Sequence, residues 1–84
     1  MYTVEMFEDE IIKLKEQARR LNLTNIEINS GELHRKLGGY PGKNHRMPVC
    51  CHAMRKMMRE GDVIISQPPK GNGASLTIRY FLTH

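Results

Sequence analysis

The sequence predicts a small α+β domain of three helices and a C-terminal β-hairpin, with one short extra strand. Three observations carry that expectation. Apolar residues recur at spacings of three and four through the first segment. The same period returns in a second long segment after a Gly- and Pro-rich turn. The last stretch instead alternates apolar and polar residues after a loop that contains Pro68, Pro69, Gly71 and Gly73.

The first helix is expected over Thr3 to Leu21. Val4, Phe7, Ile11, Leu14, Ala18 and Leu21 line one apolar stripe about 100° wide. Glu5, Glu8, Asp9 and Glu10 crowd its start and Arg19 and Arg20 close it, as the helix dipole favours. Met6 and Ile12 fall off the stripe. Asn22 to Asn25 breaks the helix, and the β-branched alternation of Ile26-Glu27-Ile28 gives a short strand. Ser30 stands as an N-cap, Leu33 and Leu37 form the i, i+4 pair of a second, short helix, and Gly38-Gly39 ends it.

Tyr40 to Arg46 reads as a turn, with Tyr40 expected to pack over the helix pair. Pro48 suits the first turn of a third helix that runs to about Glu60 and stops at Gly61. Val49, Cys50, Ala53, Met54, Met57 and Met58 fall on one half of it. His52, Arg55, Lys56 and Arg59 fall on a sector about 100° wide on the other. Asp62 to Gln67 is a strand, Pro68 to Ala74 an exposed loop, and Leu76, Ile78, Tyr80 and Leu82 mark the inward face of a second strand. The two strands should pair as an antiparallel hairpin.

Eighty-four residues make one domain, residues 1–84, able to bury roughly 60–65% of its unfolded surface. A hydrophobic content of 39% with 26% charged residues suits a globular chain rather than a disordered one. No apolar run approaches the ~20 residues of a membrane span. The acidic N-terminus also lacks the pattern of a signal peptide, so a cytoplasmic location is expected. Cys50 and Cys51 are adjacent, and vicinal cysteines bridge only with strain. They are expected to act as small buried hydrophobes.

Charge is strongly divided along the chain. Residues 1–32 carry a net −3 and residues 33–84 a net +7, and between Leu33 and Arg59 there are seven Lys or Arg residues and no carboxylate. A basic run overlapping a helix is the electrostatic footprint of a nucleic-acid-binding surface. A solvated helix usually mixes signs, whereas this outward sector contains no acid before Glu60.

The order helix, short strand, short helix, turn, helix, strand, loop, strand resembles the winged helix-turn-helix superfamily over nearly the whole chain. The resemblance rests on topology and amphipathicity. It implies that the helix after the turn, here Pro48 to Glu60, enters the DNA major groove. It also implies that the hairpin loop, here Pro68 to Ser75, is a wing that touches the backbone or minor groove. The resemblance and the charge pattern meet at the same helix. Arg55 or Arg59 then has the geometry for bidentate contact with guanine O6 and N7, with His52 and Lys56 as less specific donors. Lys43, Asn44, His45 and Arg46 sit where the turn approaches a phosphate. Lys70 and Asn72 lie at the wing tip, where glycines permit close backbone approach. The turn is longer than the ~3–4 residues usual between such helices.

Catalytic chemistry is not expected. Glu60 and Asp62 are the two acids after residue 32, and Ser30 and Ser66 have no neighbouring nucleophile motif. Lys70-Gly71-Asn72-Gly73 lacks the ending of a phosphate-binding loop. His45, Cys50, Cys51 and His52, with His34 upstream, cluster in sequence. Adjacent helical residues point about 100° apart, however, so Cys50, Cys51 and His52 do not readily share a metal. Cys51, beside Arg55 at the boundary of the helix, is the one candidate for a reactive thiol. No metal or cofactor is expected.

The expected function is therefore binding of double-stranded DNA, in transcriptional regulation or as the targeting module of a DNA-processing system. The alternative is a winged-helix interaction module whose basic face meets an acidic protein, and RNA binding is a third reading. With no further helix expected after the hairpin, the first helix, through Met6 and Ile12, is the candidate surface for a homodimer.

Overall fold

The computed structural model describes residues 2–38, 46–69 and 71–82. It is an α+β arrangement of three helices and a three-stranded antiparallel sheet: α1 (Val4–Arg20), β1 (Asn25–Asn29), α2 (Ser30–Lys36), α3 (Met47–Lys56), β2 (Val63–Ser66) and β3 (Thr77–Phe81). The central strand is β3, flanked by β1 and β2.

Helix α1 begins where the Thr3 hydroxyl oxygen accepts the Met6 N–H. Phe7, Ile11 and Ala18 are buried on the expected stripe, and Val4 and Leu14 pack at its margin. Leu21 is a correction: it is 71% exposed. The helix closes one residue earlier, as Leu23 N–H bonds Ala18 O and Asn22 N–H bonds Arg19 O. Asn22 adopts a φ of 61°, which turns the chain away before Leu21 can reach the core. Lys15 occupies the inward face in its stead, 5% exposed, with its ammonium 4.7 Å from the centre of the Tyr80 ring. A cation over an aromatic face offsets part of the cost of burying it. Met6 and Ile12 are exposed.

The N-cap of α2 is Asn29 rather than Ser30. The Asn29 side chain accepts the Glu32 N–H at 3.1 Å and donates to Thr77 Oγ1 at 3.1 Å. Ser30 is instead fully buried in the first turn, its hydroxyl donating to Gly73 O. Leu33 is buried, Leu37 is half-buried, and Gly38 ends the turn at φ 88°.

Helix α3 has Pro48 in its first turn. Met47, Cys50, Cys51, Ala53 and Met54 are buried. It ends at Lys56, four residues before the expected Glu60. The reason is Asp62, whose carboxylate accepts the Arg59 N–H at 2.9 Å and the Phe81 N–H at 2.8 Å. That bracket draws residues 57–62 into a turn, with Gly61 at φ 96°, and delivers the chain to β2.

The hairpin forms as expected, Val63 opposite Arg79 and Ile64 opposite Ile78, with a register shift between Ile64 and Ser66. On the other side of β3, Ile26 faces Tyr80 and Ile28 faces Ile78. Leu76, Ile78, Tyr80 and Leu82 point inward and are buried, as their alternation predicts. The Tyr80 hydroxyl reaches across the core and donates to Met54 O at 2.7 Å, joining sheet to α3.

Candidate nucleic-acid interface

The outward sector of α3 divides into two faces. Pro48, His52 and Lys56 stand exposed one turn apart, as the 3.6-residue period requires. Cys51 and Arg55, also one turn apart, face the loop that joins β2 to β3.

Arg55 is half-buried. Its Nη1 donates to Asn72 Oδ1 at 2.8 Å and its Nη2 donates to Gly71 O. The sequence reading gave Arg55 to guanine; in the structure its fork holds two acceptors of its own chain. The fork matches because Gly71, at φ 86°, turns its carbonyl toward the helix, and a rigid planar guanidinium can bridge two acceptors at once.

Cys51 does not lie at the boundary of the helix with its sulfur accessible. It is fully buried, and its Sγ accepts the Gly73 N–H and donates to Gly73 O, both at 3.4 Å. Cys50 is likewise buried, its thiol 3.6 Å from Ser30 O. Both cysteines are free. Burial, with Cys51 adding to it, pushes the Cys50 thiol up to about 12, so this thiol stays protonated and unreactive at neutral pH.

The other cations remain at the surface. Lys56 reaches Glu8 of α1 at 3.3 Å, with 59% of its side chain exposed. Arg59 is exposed in the turn after α3, and Arg46 is exposed as the residue preceding it. Asn72 is exposed beside Arg55. Lys43, Asn44, His45 and Lys70, along with Tyr40, lie outside the described residues. Arg79 is not part of this surface: it pairs with Glu27 across the outer face of the sheet at 2.6 Å.

His34, weighed in the sequence only as an upstream member of a His and Cys cluster, has a structural role in the core. It is fully buried between Tyr2 and Phe7, with ring centroids at 4.8 and 5.0 Å. Its Nε2 accepts the Arg46 N–H at 2.8 Å. Arg46 supplies no side-chain cap to α3, so His34 anchors the start of that helix to α2. A signal was present: Leu33, His34 and Leu37 share one face of α2.

Two clefts of about 150 and 260 Å³ lie away from α3, along α1, β1 and α2. Both are smaller than the usual small-molecule pocket of about 300–1,000 Å³. Among the described residues no three His, Cys, Asp or Glu side chains gather as a metal set, and no helix is long and apolar enough to cross a membrane. No family model, curated protein or solved structure matches the chain.

Proposed function

We propose that this domain is a winged helix-turn-helix that binds double-stranded DNA, with α3 as the recognition helix and the loop between β2 and β3 as the wing. The observation that carries the reading is that Arg46, His52, Lys56 and Arg59, on α3 and its two flanks, are all exposed. The helix itself contains no carboxylate. The same helix turns Cys50, Ala53 and Met54 into the core, so the basic face is held outward by packing. The antiparallel hairpin that follows it supports the reading, because it brings Asn72 alongside that face.

In this reading α3 lies in the major groove, wide enough to admit a helix. His52 is placed to meet base edges, while Lys56, Arg59 and Arg46 meet phosphates and set register without reading sequence. Regulation of transcription or targeting of a DNA-processing system are the roles such a module serves.

Fluorescence anisotropy with a labelled duplex across a salt series tests the proposal. Neutralising three phosphates with Arg46, Lys56 and Arg59 makes log K fall with log salt at a slope of about −3. Salt-dependent binding that prefers duplex to single strand supports it. Equal or tighter binding to single strands or A-form RNA overturns it. So does capture of an acidic protein with no duplex binding at low salt.

A further inference from the structure

Residues 71–74 of the loop between β2 and β3 are tied to the helices. Gly73 O accepts from the Ser30 hydroxyl and the Cys51 thiol, and Gly73 N–H is accepted by the same thiol. Ala74 O accepts the Gly31 N–H at 3.2 Å. These contacts secure the base of the loop against α2 and α3. Beyond them, at Gly71 and Asn72, Arg55 supplies the side-chain contacts.

We infer that Arg55 is a positioning residue, which holds the wing tip against the recognition helix so that both meet DNA as one rigid surface. The inference rests on the DNA-binding reading above. It assigns Arg55 a task that the charge pattern alone would give to base or phosphate contact.

A glycine-bearing loop tip is mobile unless held. Ordering such a segment at the moment of binding weakens affinity, and holding it beforehand removes that loss. Arg55 suits the task because, among the described residues, its hydrogen bonds go to no acid: Asn72 Oδ1 and Gly71 O are both neutral acceptors. The guanidinium therefore still adds positive potential to the surface while its hydrogen bonds point inward. His52 and Lys56, on the neighbouring face, are left as the α3 side chains that reach outward.

Three single variants and one double variant test this. Arg55→Lys keeps the charge and loses the fork. Asn72→Ala removes one acceptor and changes no charge. In the free protein, backbone 15N relaxation should show Gly71 and Asn72 amides gaining fast motion in both variants, while α3 amides stay rigid. With a duplex, each variant should bind about threefold to tenfold more weakly at an unchanged salt slope. The chemical-shift response of Gly71–Ser75 should shrink, while that of α3 persists. The double variant should be no weaker than the weaker single one, because both remove the same tether.

Unchanged loop relaxation in Arg55→Lys would overturn the inference, whatever DNA does. An Arg55→Lys that binds like the wild type, with an Arg55→Gln whose salt slope falls by about one, would also overturn it, since Arg55 would then be a phosphate contact. If the wild type binds no duplex, the DNA reading fails by itself, and the relaxation of the free protein still decides whether Arg55 tethers the loop.

Discussion

At the scale of single residues, the three buried polar side chains among the described residues each meet a partner within the core. Lys15 has the Tyr80 ring, Ser30 the Gly73 carbonyl, and His34 the Arg46 amide. Burial lowers the Lys15 ammonium below its ordinary value, with Asp62 opposing the shift. The Cys50 thiol moves the other way, from 9.0 to about 12. Above pH 9 the unfolded chain's thiol ionises while the folded one holds its proton. The unfolded state then binds fewer protons, so this contribution is complete below pH 9 and is lost as pH rises toward about 12. Urea unfolding between pH 8 and pH 11 should therefore show a shallower alkaline decline in Cys50→Ala than in the wild type. The difference should approach about 1.4 kcal/mol per pH unit within that window. A second residue-scale prediction concerns Glu8, which holds Lys56 at 3.3 Å. Glu8→Gln should tighten duplex binding by about twofold to fivefold, the size of an exposed ion pair, as read by anisotropy at low salt.

At the scale of elements, the close approach of the hairpin loop to α2 depends on Gly31. A methyl group there would lie 3.1 Å from both Ala74 Cβ and Ala74 O. Gly31→Ala should therefore cost about 1–3 kcal/mol in urea unfolding and loosen the Gly73 contacts seen by amide exchange. The elements themselves were largely legible in the sequence. The period of Phe7, Ile11 and Ala18 and the alternation of Leu76, Ile78, Tyr80 and Leu82 are local signals, and each follows from how a helix or strand must turn its side chains. The ends were less legible. Leu21 and Glu60 continue their helical periods on paper, but Asn22 and Asp62 end those helices through hydrogen bonds to neighbouring backbone. The N-cap fell one residue from its expected place because Asn29 and Ser30 both suit a cap, and contact with distant Thr77 and Gly73 decides between them. The same limit applies to the candidate site. A helical projection puts Arg55 with His52 and Lys56, and only the fold of the loop at residues 71–73 shows that it faces elsewhere.

At the scale of the whole molecule, acid and base are separated in sequence and meet again in the fold, where Glu8 of α1 pairs with Lys56 of α3 and Glu27 of β1 with Arg79 of β3. A single core joins all three helices to the sheet, through Phe7, Leu33, Met54 and Tyr80 among others. Phe7 packs against both Tyr2 and the His34 ring. Phe7→Ala should cost about 3–5 kcal/mol, a large share of the stability of a domain this size, and lower the thermal midpoint sharply in circular dichroism. It should weaken DNA binding only through loss of folded protein, since Phe7 is fully buried.

Whether the outward face of α3 and the loop between β2 and β3 meet duplex DNA, as proposed, is decided by a two-dimensional amide NMR titration with a random-sequence duplex at two salt concentrations. DNA binding through this face gives shifts concentrated in Arg46–Arg59 and Gly71–Ser75 that diminish as salt rises. Shifts confined to the acidic α1, or a spectrum unperturbed at low salt, would contradict it.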